Sequence, residues 1–470
     1  MTSSALRAVF LATVACSSAC GCGTWSGQGR LPDAVYPHPP VRQKPPSTVV
    51  PASHQSLASA VAATPAVENP QPFEGVPELD PDEVVRVVLA RNPTLDQMQA
   101  TVSAVAARFP QVTSLDDPTF GFWTAPGSIG SPNADYAARA EVSQKFISSA
   151  KRQLKGRSVQ AETTAAMEDV EDLRTQLAES AKSALADYYL AVKSIKVVEE
   201  NLKLIRDYRR NAETRYKTGQ GQQQDMLQAD VEIGRQEEQL LSLRRARQVA
   251  IARLNTLMHF PPESLLPPPA NGPAIATLPD PPELRDLAQR RPDVRAALAR
   301  IGAEEAQLAF AVKDYNPDIE LMAAYDGFWQ GAGGRPLQWQ AGMRMNLPVR
   351  YAKRSGIVHE ARANIARRRA ELARLTDQVN YEVEEAFERL REVKEITKLY
   401  DTKLLPAAES NVKEALAGYT TGKIPFLNLI EAQRNRIALQ ERYYQALAEV
   451  MRRHAALERA VGGKLPAPEK

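Results

Sequence analysis

The sequence predicts a mostly α-helical chain that also contains β-strands and consists of two tandem repeats. Three observations predict this fold class: short motifs recur at a nearly constant spacing, segments of strict apolar and polar alternation occupy matching places in each half, and long stretches carry apolar residues seven positions apart. The predicted repeats cover residues 81–260 and 283–463, with a proline-rich linker at 261–282 and a short tail at 464–470.

The repeat is visible in pairs of matching motifs. Their spacing drifts only from 199 to 203 residues along the chain. Such steady spacing indicates duplication, so an element in one half should have a counterpart in the other. The pairs are Asn92-Pro93 with Arg291-Pro292 and Asp117-Pro118 with Asn316-Pro317 at 199 residues, Ala150-Lys151-Arg152 with Ala352-Lys353-Arg354 at 202, and Tyr216-Lys217-Thr218-Gly219 with Tyr419-Thr420-Thr421-Gly422 at 203, where Leu254 also matches Leu457.

The amino-terminal residues predict an exported protein. Arg7 precedes a short apolar run at residues 8–15, which is typical of a secretory signal and too short to cross a bilayer. All three cysteines follow this run, which excludes a disulfide framework in the rest of the chain.

The cysteines also suggest a lipid anchor. Small residues before a cysteine at the end of a signal resemble a bacterial lipobox, and Cys22 is favoured because Ala19 and Gly21 precede it. Cys20 and Cys16 are the alternatives, as is an ordinary cleaved signal with incidental cysteines. Residues 1–22 are thus interpreted as signal and anchor, and residues 23–80 as a proline-rich tether. One acyl chain holds only marginally, so a second membrane element is expected.

Composition argues against nucleic-acid binding and catalysis. The net charge is only +3, with acids and bases interspersed. His359-Glu360 begins like a helical zinc-protease site, but no second histidine follows four residues later. No glycine-rich phosphate loop precedes a helix. We therefore expect no enzyme activity, no metal and no cofactor.

Each repeat should begin with a helix and continue with a β-hairpin. The helices are predicted at about 94–113 and 293–315, each followed by an Asp-Pro or Asn-Pro motif, because proline disfavours helix in the residue before it. Period-two alternation predicts strands at 134–146 and 337–347. Their weaker hairpin partners contain Phe120 and Phe122 in the first half, and Ile319, Leu321, Ala323 and Tyr325 in the second.

Two features favour a membrane location for these strands, although a half-buried strand of a soluble sheet alternates in the same way. About ten alternating residues is the length of a transmembrane barrel strand. Trp123, Trp329 and Trp339 lie on or beside the strands, as in an interfacial girdle of aromatic residues. Trp339, Ala341 and Met343 should then face lipid, and Gln338, Gln340 and Arg344 should face a lumen.

Four strands cannot close a barrel, and an open sheet edge is not tolerated in lipid. Protomers must therefore pool strands, and three protomers would supply twelve, an even number within the bacterial range.

Long helices should follow each hairpin. Residues 154–217 would span about 95 Å as one helix. Seven-residue spacing of apolar side chains recurs here and in shorter returning helices, which requires coiled packing against neighbours. A structural coiled-coil protein is the alternative, but it leaves the signal, the hairpins and the aromatic residues unexplained. The spaced residues are Tyr188, Ile195 and Leu202; Ile365, Leu372, Val379, Ala386, Val393 and Tyr400; Met226, Ile233 and Leu240; and Ile430, Ile437, Tyr444 and Met451.

The doubled plan, with its Tyr-x-Thr-Gly motif at each helical turn, resembles the TolC-like outer-membrane efflux protein family from about residue 80 to 463. The resemblance implies a lipid-anchored homotrimer with a twelve-stranded barrel continuous with a periplasmic α-helical barrel. It also implies docking of the tips, near Tyr216, Gly219, Tyr419 and Gly422, onto a periplasmic adaptor and an inner-membrane pump, often of the resistance-nodulation-division type. The expected role is passive export of small molecules or metal ions, with a type I secretion exit duct as the alternative.

The resemblance further implies a constriction at the tunnel mouth, where family members often carry rings of acidic residues. This chain has Asn428 and Glu431 there in the second half and Asp225 in the first, so one expected carboxylate is an amide. Three copies of each acid would repel one another, so we expect compensation from Lys217, Lys423 or polar groups. Solvated acids near a helix start are the alternative interpretation.

Overall fold

The computed structural model describes residues 73, 75–126, 136–270, 272, 279–328 and 339–465, all within the unit Glu68–Lys470. The predictions for Cys16, Cys20, Cys22, Trp329 and Gln338 lie outside the described residues.

The first repeat begins with short helices whose ends are set by local sequence. The Asp80 side chain accepts hydrogen bonds from the backbone N–H groups of Asp82 and Glu83, and the Asn92 side chain accepts one from Thr94. A proline follows each capping residue at the first helical position, where its missing N–H has no effect. These helices are α1 (Pro81–Arg91), α2 (Pro93–Ala106) and α3 (Arg108–Thr113).

The rest of both repeats follows the predicted order of hairpin and long helices, which confirms the fold class. The first repeat continues with β1 (Thr119–Thr124), β2 (Tyr136–Phe146), α4 (Ser149–Lys217) and α5 (Gln223–Leu257). The second repeat contains α6 (Pro281–Ala288), α7 (Pro292–Lys313), β3 (Ile319–Phe328), β4 (Trp339–Met345), α8 (Tyr351–Leu399), a π-helix (Tyr400–Leu404), α9 (Leu405–Thr420) and α10 (Phe426–Val461).

The π-helix explains a small drift in the repeat spacing. Between Lys353 and Tyr419 the second half contains one residue more than the first half contains between Lys151 and Tyr216. A π-helix bonds residues five apart and so accommodates an extra residue without ending the helix. It ends two residues before Pro406, which lacks a backbone N–H to donate. The first repeat covers the same path with one 69-residue helix, α4.

The four described strands form one antiparallel sheet in the order β1-β2-β3-β4. Phe120 lies opposite Val142, Val142 opposite Ala323, and Ala323 opposite Ala341, so these residues share one face. Strands β1 and β4 are the edges of the sheet. The two hairpins therefore join through β2 and β3 at the centre.

The helical cores of the two halves are built alike. In the first, Val84 and Val88 of α1 pack with Leu185 and Leu254. In the second, Leu284 of α6 belongs to a cluster with Val383, Leu390 and Leu457. The repeat partners Leu254 and Leu457 are both completely buried.

Across the ranges that the structure describes, none of the helices combines the length and the apolar content needed to span a membrane.

Candidate functional site

The sheet has one apolar and one polar face, as the alternation predicts. The apolar face is unusually exposed for a soluble protein, with Phe120 and Trp339 showing 70% and 72% of their surface. Tyr325 and Trp339 pack against each other there with ring centres 4.9 Å apart. Other exposed residues on this face are Phe122, Val142, Phe146, Ile319, Leu321, Met343 and Met345.

The opposite face carries a polar network across the strands. Arg139 lies 3.4 Å from the Glu141 carboxylate and 3.9 Å from that of Asp326. The Gln340 amide donates to Asp326 at 2.7 Å. Arg344 lies 3.3 Å from the Glu320 carboxylate, so charges of both signs are paired along this face. Such a face suits water, whereas the other suits lipid.

The register places two of the predicted interfacial tryptophans on opposite faces of the sheet. Trp123 lies opposite Arg139, on the polar face, whereas Trp339 lies on the apolar face. The Trp123 ring covers Gly121, and any side chain at position 121 would collide with that ring. The interfacial girdle therefore stays a prediction, with Trp123 and Trp339 on opposite faces of the sheet. Phe120 and Phe122 fix the apolar face of β1, and a residue one position further must point to the other side.

At the far ends of the long helices, the two tip turns share one backbone conformation. Gly219 and Gly422 have φ values of 76° and 72°, the left-handed region that glycine adopts without steric penalty. Each glycine N–H donates to the carbonyl of the tyrosine three residues earlier, at 3.0 Å in both turns. The next N–H reaches back five residues at 2.8 Å in both turns, which is the Schellman pattern of a helix end.

The tyrosines of the two turns differ in environment. Tyr216 is 45% exposed, whereas Tyr419 is only 5% exposed. The Tyr419 ring packs against Phe426 with centroids 5.1 Å apart, in a cluster with Tyr208 of the first hairpin. The tyrosine of the second turn is thus buried against the first hairpin, whereas the tyrosine of the first turn is exposed.

Arg215 of α4 holds the second turn from the side. Its Nη1 donates to the Tyr419 carbonyl at 2.6 Å and to the Thr420 carbonyl at 3.0 Å. Its guanidinium lies 4.9 Å from the centre of the Tyr419 ring. These carbonyls end α9, where the helix dipole favours a cation. Arg215 therefore caps a helix of the other repeat.

The Tyr419 hydroxyl completes this contact by donating to the Asp225 carboxylate at 3.3 Å. Burial, together with the Asp225 charge, raises the pKa of Tyr419 to about 12, against the opposing effect of Arg215. Asp225 lies in the first turn of α5, so residues from α4, α5 and α9 meet here. We call Arg215, Asp225 and Tyr419 the tip clasp.

Further from the tip, polar contacts fix α10 along the first hairpin. Arg434 donates twice to the buried Glu232 carboxylate, at 2.6 and 2.9 Å. The Gln433 amide donates to Asn201 at 2.7 Å, and both residues are buried. These contacts bind the two halves together below the turns.

The other predicted gate residues lie apart from the clasp. Asn428 and Glu431 are exposed on one face of α10. Lys217 pairs with Glu213 on its own helix at 2.8 Å. Lys423 is exposed and has no ion pair among the described residues. A polar group, the Tyr419 hydroxyl, is what contacts Asp225.

The sequence-based prediction missed Arg215. Its partners lie 204 and 205 residues away, beyond any local pattern. A comparison of the two repeats could have identified Arg215, because its counterpart at a spacing of 203 residues is Gly418. A large cation in one turn and a glycine in the other indicates an asymmetric contact.

Comparison with known proteins agrees with this architecture. Residues 284–463 match the family described as Outer membrane efflux protein. Nodulation protein T from Rhizobium leguminosarum bv. viciae is 24% identical over 270 residues. That alignment covers 53% of each protein, so the chain spans about half the length of this curated relative.

Solved outer-membrane proteins share the fold. The outer-membrane channel OprN superimposes with a TM-score of 0.68 at 22% identity, over 82% of this chain and 90% of that one. CusC, whose structures describe transmembrane channel formation, gives 0.70 at 14% identity over 82% and 92%. VceC from Vibrio cholerae gives 0.67 at 18% identity over 82% and 96%.

Proposed function

Because residues 284–463 match the outer membrane efflux protein family and the whole fold resembles solved outer-membrane channels, we propose that this chain is the outer-membrane channel of a tripartite efflux system. Three copies would pool their strands into a twelve-stranded barrel continuous with a periplasmic helical tunnel. The observation that carries this proposal is the four-stranded sheet, which has an exposed apolar face, a charge-paired polar face and two edges. Such a sheet satisfies its backbone in lipid only when its edges are paired.

The proposed location is the bacterial outer membrane, with the helices in the periplasm. Lipidation at Cys22, or at Cys20 or Cys16, would add an anchor to the barrel. The cargo would be small molecules or metal ions, moved passively. The same architecture would also serve a type I secretion exit duct, which remains the second candidate because it needs the same barrel and tunnel.

The tips are the proposed docking site for a periplasmic adaptor and its inner-membrane pump. The first turn is open, since a side chain added at Gly219 would meet no other atom within 4 Å. The second turn is held by the tip clasp, which we propose keeps the tunnel mouth closed at rest. Asn428, Glu431 and Lys423 would lie near that mouth, and Lys423→Glu should loosen it if this charge contributes to closure.

Cysteine labelling of cells tests the barrel. Cysteines at Gln340 and Arg344 should react with a hydrophilic, membrane-impermeant thiol reagent through the lumen. Cysteines at Ala341 and Met343 should resist it, because adjacent residues of a strand face opposite sides. The unsubstituted protein reports any labelling of the native cysteines. Equal reactivity at 340 and 341 would exclude a membrane-embedded sheet.

A further inference from the structure

The contact between α4 and α7, where the helices meet the sheet, joins the two repeats within the chain. Lys151 of α4 is only 1% exposed, and its Nζ lies 2.9 Å from the Asp318 carboxylate and 3.2 Å from that of Asp314. It also donates to the Asn316 carbonyl at 2.8 Å. We call this contact the lysine clasp.

Two turns further along α4, the Gln307 amide of α7 donates to the Ser158 hydroxyl at 3.3 Å. The first repeat thus contacts the second at two places along α4, at Lys151 and at Ser158.

The repeat gives each of these residues a counterpart. If three copies form a ring, the second repeat of one copy must reach the first repeat of the next in the same way, since β4 then lies beside β1 of that copy. The counterparts should therefore meet across the boundary between copies. They are Lys353 for Lys151 and Glu360 for Ser158, at a spacing of 202, and Arg108 for Gln307 and Asp117 for Asn316, at a spacing of 199.

The counterparts have the properties that such a boundary needs. Lys353, Glu360, Arg108 and Asp117 are all exposed, and none of them has an ion pair among the residues that the structure describes. Lys353 and Glu360 are seven residues apart on α8 and so lie on the same face of that helix. The two pairs that the repeat predicts are of opposite charge: Lys353 would meet Asp117, and Glu360 would meet Arg108.

We propose that α8 of one copy packs against α2 and α3 of the next copy, forming a seam with two charge contacts. Lys353 enters the link before β1 of the next copy, beside Asp116 and Asp117, and Glu360 pairs with Arg108 of that copy. In the lysine clasp, the two carboxylates that contact Lys151 belong to Asp314 and Asp318, two residues before and after Asn316. In the proposed seam, the two carboxylates would belong to Asp117, the counterpart of Asn316, and to the preceding residue, Asp116. This seam rests on the trimer of the proposed function.

Charge reversal tests the pairing between Glu360 and Arg108. Full-length protein is extracted from outer membranes in detergent, and the ratio of trimer to monomer is measured by native mass spectrometry. Glu360→Arg or Arg108→Glu alone places like charges at all three seams, and we expect roughly a tenfold or greater loss of trimer. The double variant Glu360→Arg/Arg108→Glu restores opposite charges and should return the ratio to within about twofold of the wild type.

Arg362→Glu is the matched control. It makes the same charge change as Arg108→Glu, but residue 362 lies about 200° around the helix from residue 360 and should leave the trimer intact. The second contact is tested by comparing two lysines. Lys353→Glu should reduce trimer while leaving the helical circular dichroism of the chain unchanged, whereas Lys151→Glu should lower the folding stability of the chain itself.

The outcomes separate this inference from the proposed function. If the wild type is monomeric in outer-membrane extracts, the proposed function fails. If the wild type is trimeric and the single reversals are trimeric too, the seam is wrong while the conduit stands. A double variant no better than either single reversal would likewise overturn the seam.

Discussion

The two tip turns share a backbone and differ in what holds them. Both end a long helix with a left-handed glycine and the same two hydrogen bonds. Tyr216 of the first turn is nearly half exposed, whereas Tyr419 of the second is buried beside Arg215 and donates a hydrogen bond to Asp225. The repeated motif therefore sets the turn, and the neighbouring hairpin sets the environment of its side chains.

This difference assigns unequal roles to the two halves. The first hairpin contributes an uninterrupted helix and the two side chains that hold its neighbour. The second hairpin has a π-helix between α8 and α9, before its turn, and contributes Tyr419, the residue that Arg215 and Asp225 contact. If the mouth opens, we expect the second turn to move and the first to stay.

The largest expected effect comes from Arg215→Glu. It removes two hydrogen bonds to the end of α9 and places an anion beside carbonyls that favour a cation. Hydrogen bonds from charged groups contribute about 1.5–3 kcal/mol each, so the closed state should lose about 3–6 kcal/mol. The open-to-closed ratio should then rise by roughly a hundredfold or more, measured as open probability and conductance in a planar bilayer. Arg210→Glu is the control, because the Arg210 side chain is 76% exposed and, within the part of the chain that the structure describes, its ion-pair partner is Asp207 on its own helix. Equal conductance for both variants would mean that Arg215 does not hold the turn.

Replacing the turn glycines should have a smaller effect that also differs between the turns. Valine at a left-handed position costs roughly 1–2 kcal/mol in either turn. At Gly422 the new Cβ would lie in ordinary contact with Arg215, 3.6 Å from its Nη2, so a change of backbone there acts on the turn that the tip clasp holds, whereas Gly219 has open space. Gly422→Val should therefore raise conductance more than Gly219→Val.

The double variant Gly219→Val/Gly422→Val should weaken adaptor binding while the trimer persists, as measured by co-purification from membranes. Loss of the trimer would show instead that the turns serve folding.

Tyr419→Phe should have a modest effect and Tyr216→Phe none. The first removes one hydrogen bond, to Asp225, which contributes about 1 kcal/mol and corresponds to roughly a fivefold change in the open-to-closed ratio. The second alters a solvated hydroxyl in the matching turn. Open probability in bilayer recordings is the measurement. Similar responses of the two variants would remove the asymmetry between the turns.

The smallest effect concerns pH. The pKa of Tyr419 is about 12 in the fold, above its ordinary value of 10.0. Stabilisation by the neutral phenol is therefore fully present below pH 10 and is lost as pH rises towards 12. An absorbance titration of tyrosine ionisation should show that Tyr419→Phe removes a component near pH 12. If Tyr419→Phe instead removed a component near pH 10, the Tyr419 hydroxyl would be solvated and the contact with Asp225 would be excluded.

The sequence predicted what depends on neighbours along the chain and missed what depends on distant ones. Alternation gave the four strands and their faces, and the glycines gave both turns. The face on which Trp123 lies follows from its position in the alternation and not from its aromatic type. Arg215 was missed because its partners belong to the other repeat. The extra residue at the π-helix was visible as a change of spacing, but hydrogen bonding alone shows where it is accommodated.

A conduit that passes through the sheet and is closed at the tip is tested most directly by blocking one end while the other is open. Gln340→Cys is introduced into the Arg215→Glu trimer, and a bulky hydrophilic thiol reagent is added during single-channel recording. We predict three successive decreases in conductance, one for each copy, and no decrease for Ala341→Cys in the same background. An unchanged conductance at position 340, or equal decreases at 340 and 341, would contradict a trimeric conduit whose lumen is lined by the polar face of the sheet.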